Sequence, residues 1–224
     1  MLRELNLLPV YDSSEYDLIK NLQVPLLQHS SDYLRGVGFF SSGWLQIASR
    51  GMADFVEHGG KARLVLSPIL DQRDWEALQL GEEARFDDAL KSVLTQRVSD
   101  LQSSLATDTL NALAWMIADK VLDIRFAVPR AMDCPGIYHD KVGIYTDDNG
   151  DSVALHGSLN DSIQGSLNGE AYSVFKSWGI PHTRGGEPHL NSCKLFKSKA
   201  HKKMAQIYWA MGKQMIYQLV ERNN

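Results

Sequence analysis

Apolar residues recur in two rhythms along the chain, and the switches between them mark out the elements. Gly36-Val-Gly-Phe-Phe40 and Ala62-Arg-Leu-Val-Leu66 read as strands on either side of Trp44 to Glu57, where apolar positions return every three or four residues. Ser41-Ser-Gly43 supplies a helix start and His58-Gly-Gly60 its stop, so residues 33 to 66 form a strand-helix-strand unit. From 71 to 120 the pattern is helical. Phe86, Leu90, Val93, Leu94, Leu101 and Leu105 keep the spacing of core-facing positions. Thr107 or Asp108 can cap a second helix bearing Leu110, Leu113, Trp115 and Ile117. Leu122 to Val128 alternates and stops at Pro129, as a strand does.

The rhythm then shortens. Lys141-Val-Gly-Ile-Tyr145 and Ser152-Val-Ala-Leu155 predict the two strands of a hairpin, joined by Thr146 to Asp151, whose Asn-Gly is a strong turn signal. Ala171 to Phe175 predicts a further strand. After Trp178, Gly179-Ile-Pro and Gly185-Gly-Glu-Pro predict a loop, and Leu195 to Val220 one long or broken helix. Strands alternating with helices predict an α/β domain with a mixed sheet flanked by helices. Residues 1–180 are expected to form the principal domain. Residues 181–224 are expected to be a loop and a basic helical segment packed on it.

A chain of 224 residues with 44% hydrophobic content can bury a full core as one domain. No apolar run approaches the roughly 18 residues that span a bilayer, and Met1-Leu-Arg-Glu-Leu-Asn6 lacks a signal peptide's apolar segment. A cytoplasmic protein with no membrane partner is expected. Cys134 and Cys193 have no ligand-like spacing, so neither a metal, a cofactor nor a disulfide is expected. The net charge of −4 argues against a nucleic-acid partner until its distribution is seen. From Asn191 onward six lysines and Arg222 face the single Glu221, a net of +6 that leaves −10 on the rest. Lys194, Lys197, Lys199, Lys202 and Lys203 could meet a phosphate backbone, although a solvated helix face accounts for them equally well.

Candidate chemistry sits in the hairpin. His139-x-Lys141 opens its first strand and Gly157-Ser-Leu-Asn160 closes its second, so the turn brings the two motifs side by side. A lone His-x-Lys is weak, and His201-Lys-Lys203 matches it with no Gly-Ser-x-Asn behind it. The residue types suit phosphodiester cleavage. Imidazole, with a pKa near 6.5, serves as nucleophile or proton donor at neutral pH. Lys141, two residues along, shares the face of His139 and can neutralise a phosphate oxygen. Asn160 and Ser158 can donate hydrogen bonds to the phosphate, and Gly157 allows close backbone approach. Glu170 is the candidate carboxylate to hold the imidazole in one tautomer. His156 is expected to point away, by strand alternation. The five tryptophans could stack on bases, but core packing is expected for most of them.

The paired motifs resemble those of the phospholipase D superfamily. Tyr33 to Trp44, Gly59 to Ser67, Leu113 to Ala118 and Asn168 to Tyr172 are similar to domains of that superfamily attached to bacterial helicases and to restriction or phage-defence proteins. The resemblance covers roughly residues 10 to 180 and implies a metal-independent nuclease acting on DNA through a phosphohistidine. Because the superfamily site uses two His-x-Lys motifs and this chain has one usable copy, it implies a two-fold homodimer. A helicase or other ATPase partner is implied too, as no phosphate-binding Gly-rich loop is present. The superfamily's Asp, five residues after the lysine, is replaced by Thr146, with Asp147 and Asp148 just beyond. A DNA-binding or assembly module without turnover is the alternative. A lipid phosphodiesterase is disfavoured by the lack of an amphipathic anchor.

Overall fold

The computed structural model describes residues 1–98, 100–127 and 137–178. Seven strands among them, β1 (Val10–Asp12), β2 (Asp32–Val37), β3 (Lys61–Leu66), β4 (Leu122–Phe126), β5 (Lys141–Thr146), β6 (Ser152–Gly157) and β7 (Ala171–Lys176), form one sheet in the order β1-β7-β6-β5-β2-β3-β4. β2, β3 and β4 are parallel, while β5, β6, β7 and β1 continue from β2 as an antiparallel run. This is the mixed sheet with flanking helices that the sequence predicts. The expected helical segment at 181–224 lies outside the described residues.

The hydrophobic face is built by alternation. Tyr33 and Val37 of β2, Ala62, Leu64 and Leu66 of β3, and Tyr145 of β5 are buried in one core cluster with the helices. Tyr33 stacks on Tyr145 at 4.5 Å between ring centroids and lies 6.4 Å from Trp44. A second, small cluster on the other face joins Ile144 and Ala154 to Leu34, Val142 and Phe175. Trp44 is fully buried, Trp75 packs on Phe126, and Trp115 and Trp178 pack against the core.

Helices follow their caps more than the length of the apolar pattern. The predicted helix over 44–57 is two, α2 (Gly43–Ile47) and α3 (Ser49–Glu57), because Ala48 leaves helical geometry at ψ 10. Residues 71–120 make α4 (Gln72–Ala84), α5 (Asp88–Arg97), α6 (Leu101–Thr107) and α7 (Thr109–Ala118). Asp71, Asp87 and Asp100 cap the first three by accepting N–H groups of the first turn, which fixes where each begins. Phe86 therefore falls in the turn between α4 and α5 and is 90% exposed, a correction to its expected core position. Val93 is exposed as well. Before β2 stands a helical unit not signalled by the pattern, a π-helical turn at Ile19–Gln23 that runs into α1 (Val24–Gln28). No helix of the described residues is long and apolar enough to cross a membrane.

The β5–β6 turn is tight, as Asn149-Gly150 predicts, with Gly150 at φ +79. Asp147 organises it: its carboxylate accepts the N–H groups of Asn149 and Asp151, and that of Leu2 from the chain start. Thr146, in the slot of the superfamily's Asp, ends β5. Five residues separate it from Lys141 along an extended strand, roughly 17 Å at 3.3 Å per residue. The substitution at that slot lies at the edge of the sheet away from His139.

Candidate functional site

Four strand ends meet at one edge of the sheet. β2 leaves it at Val37, which pairs with Lys141 at the start of β5, while β6 ends at Gly157 beside Tyr172 near the start of β7. In open α/β sheets such crevices, at the carboxyl ends of the parallel strands, are where ligands bind. Beyond Gly157 the chain crosses to β2, where Asp161 bridges Phe40 and its carbonyl accepts the Ser41 N–H. The sheet thus brings His139, Lys141, Ser158, Asn160 and Glu170 to one edge.

His139 is exposed and Lys141 is buried, 6% accessible. The Lys141 Nζ lies 2.9 Å from both ring nitrogens of His139 and 3.1 Å from its carbonyl oxygen, to which it donates. No point in the ring plane is that close to both nitrogens without colliding with a ring carbon. The ammonium therefore stands over the face of the imidazole. The lone pair of the unprotonated ring nitrogen and the N–H of the other both lie in the ring plane, so this contact leaves them directed outward. Gly38 makes room for the ring: a Cβ there would stand 2.9 Å from His139 Cα and 3.0 Å from its Cδ2. A Cβ on Gly36 would collide with the Tyr138 hydroxyl.

Ser158 and Asn160 are each half committed. The Ser158 Oγ accepts the Ala171 N–H at 3.3 Å, which leaves its own proton to donate. The Asn160 Oδ1 accepts the Phe39 N–H at 3.2 Å, so the amide NH2 is oriented away from that bond as a donor. Gly157 has a packing reason as well as the expected one. A Cβ there would overlap the carbonyl oxygen of Ala171, so β7 can approach β6 only against glycine.

Glu170 is placed differently from its expected role. It makes no hydrogen bond or ion pair with His139, and its charge acts on Lys141. Burial lowers the Lys141 pKa below the ordinary lysine value, the Glu170 carboxylate pulls it back up, and the Arg35 guanidinium adds to the lowering. His156 pairs with Val142, the neighbour of Lys141 on the opposite face, so it is turned away as alternation predicts. Lys194, Lys197, Lys199, Lys202, Lys203 and the His201 motif lie outside the described residues.

Sequence reasoning missed the support beneath the site. Arg35, on the core face of β2, donates from Nε and Nη2 to the two carboxylate oxygens of Asp161, and from Nη2 to the Leu159 carbonyl at 2.9 Å and the Tyr172 Oη at 3.1 Å. Gln23 joins Tyr172 to Trp44, donating to one and accepting from the other. Arg35 and Asp161 are 1% and 0% exposed, so the loop carrying Ser158 and Asn160 is clamped from below by a desolvated ion pair. Burial works against the Arg35 charge, yet Asp161 holds the guanidinium pKa well above its ordinary value. Burial pushes the Tyr172 hydroxyl up to about 12, so it keeps the proton it donates to Leu159. The sequence signal was Arg35 itself, at an inward position between Tyr33 and Val37.

No protein-family model and no curated protein matches this chain. Among solved structures it is similar to Nuc, a phospholipase D family member from Salmonella typhimurium, at 15% identity and TM-score 0.45, over 91% of this chain and 94% of that one. A mutant yeast tyrosyl-DNA phosphodiesterase 1 is similar at 14% identity and TM-score 0.40, over 76% of this chain and 30% of that one.

Proposed function

We propose that this chain is a metal-independent phosphodiesterase of the phospholipase D superfamily that cleaves nucleic acid, DNA foremost, through His139. The observation that carries the reading is the stacked pair: Lys141 over the ring face of His139, with the in-plane lone pair of the unprotonated nitrogen directed outward and the donors of Ser158 and Asn160 at the same edge. A ring nitrogen of His139 attacks phosphorus, forming a P–N bond as the P–O bond to the leaving group breaks. Lys141, drawn to a non-bridging oxygen, and Asn160 stabilise the added charge. The leaving oxygen needs a proton, and we assign it to the same residue of a second copy in a two-fold dimer, since His156 faces away. Water then breaks the P–N bond, giving its proton to that second imidazole.

The setting we infer is a bacterial restriction or antiphage system, in the cytoplasm and beside a helicase or other ATPase. It rests on the resemblance of the sequence segments named above. The test of the activity is cleavage of labelled single- and double-stranded DNA in EDTA by wild type and His139→Ala at matched folding. EDTA-resistant cutting lost in the variant supports the reading. No cutting by either, with salt-sensitive binding kept by both, replaces it with the binding-module alternative.

A further inference from the structure

Next to Glu170 the surface opens into a cavity of about 540 Å³, within the size range of small-molecule sites. One wall is the segment after β1, Ser13 to Lys20, and the other is the connection from α8 (Ile163–Ser166) to β7. Leu159, which precedes Asn160, and Glu170, whose charge reaches Lys141, lie at its boundary with the candidate site. The cavity and the site therefore share a wall.

The lining selects by charge. Asp17 is spent on its own turn, accepting from the N–H groups of Ile19 and Lys20 and from Lys20 Nζ at 3.2 Å. Glu15 and Glu170 have no such partner among the described residues. They leave the cavity with two carboxylates that have no hydrogen-bonded or ion-paired partner among the described residues, Glu170 also acting on Lys141 at longer range, together with the Tyr16 ring and Asn168 at the rim. Such a lining accepts an uncharged group rich in O–H and N–H donors and repels a phosphate.

We propose that this cavity receives the nucleoside on one side of the scissile diester and rejects a further phosphate there, so that the enzyme favours strand ends and dinucleotides over internal diesters. The proposal rests on the phosphodiesterase reading above. The test compares kcat/KM for a dinucleoside monophosphate bearing no terminal phosphate, a 5′-phosphate or a 3′-phosphate. A phosphate at one end is expected to lower kcat/KM about tenfold, and at the other end to leave it nearly unchanged. Glu15→Lys is expected to remove most of that penalty, read within the variant as the ratio of its kcat/KM on phosphorylated and unphosphorylated substrates. Equal rates for all three substrates, or the same penalty in Glu15→Lys, overturn the proposal. Saturation-transfer NMR of adenosine with His139→Asn protein reads the cavity without turnover, and the signal is expected to vanish in folded Asn168→Trp. That signal in a protein that cleaves no diester keeps the cavity and sinks the phosphodiesterase reading. Its absence in a protein that cleaves sinks the cavity.

Discussion

Gly38→Ala tests the geometry of the proposed nucleophile, His139, without replacing it. The added Cβ meets His139 Cα at 2.9 Å, and the Tyr138 carbonyl oxygen and His139 Cδ2 at 3.0 Å each. Relaxed carbon contacts need about 3.5–4.0 Å, so His139 must retreat by roughly 0.5–1 Å. Displacements of that size cost up to about a hundredfold when a reacting atom is held for attack. We expect kcat to fall about 10- to 100-fold, with KM nearly unchanged because Lys141, Ser158 and Asn160 keep their places. Overpacking of this kind costs about 1–3 kcal/mol where the neighbours are rigid. Two of the three atoms met are backbone, His139 Cα and the Tyr138 carbonyl oxygen, so the loss of stability should fall within that range. The control is Gly59→Ala, at φ +79 with nothing within 4 Å, which should lower Tm and leave turnover intact. Activity of Gly38→Ala within twofold of wild type would refute the argument that His139 acts from this position.

Other expectations follow from the same contacts. Asp161→Ala leaves the Arg35 guanidinium buried and uncompensated, and should cost about 3–5 kcal/mol in denaturant unfolding. Asn160→Ala removes a phosphate donor and the acceptor of the Phe39 N–H, and should reduce kcat about 10²- to 10³-fold at wild-type oligomeric state. Lys141 must be an ammonium to act, so activity should fall as pH rises through its folded pKa, which burial places below the ordinary lysine value of 10.5. Glu170→Gln removes the charge that raises that pKa, so the alkaline limb of the kcat/KM profile should move to lower pH. A limb that stays put or moves up contradicts the assignment.

Much of the site was legible because it rests on local pattern. The hairpin, its Asn-Gly turn and strand alternation suffice to put His139, Lys141, Ser158 and Asn160 at one edge and to turn His156 away. The start of β2 was misplaced for a physical reason. The apolar run 36–40 places the strand from Gly36, whereas β2 begins at Asp32, because a buried partner 126 residues away lets the charged Arg35 lie inward between Tyr33 and Val37. The π-helical turn before α1 does carry a local signal that apolar spacing passes over, Asp17, whose carboxylate accepts the Ile19 and Lys20 N–H groups. Phe86 shows the reverse error, since the spacing rule ran through a turn that capping Asp87 imposes.

The clamp between Arg35 and Asp161 also sets a clock for biosynthesis. A ribosome adding about 5–20 residues per second needs roughly 6–25 s to travel from one to the other. For most of that interval the nascent β2 has an unpaired edge where β5 will dock, and throughout it a cation waits without its counter-charge. The parallel strands β2, β3 and β4 emerge before β5, β6 and β7, and the proposed site is sited where the two halves join. Chaperone demand in this chain should therefore concentrate on that waiting period, and the proposed site should be the last feature a newly made molecule completes.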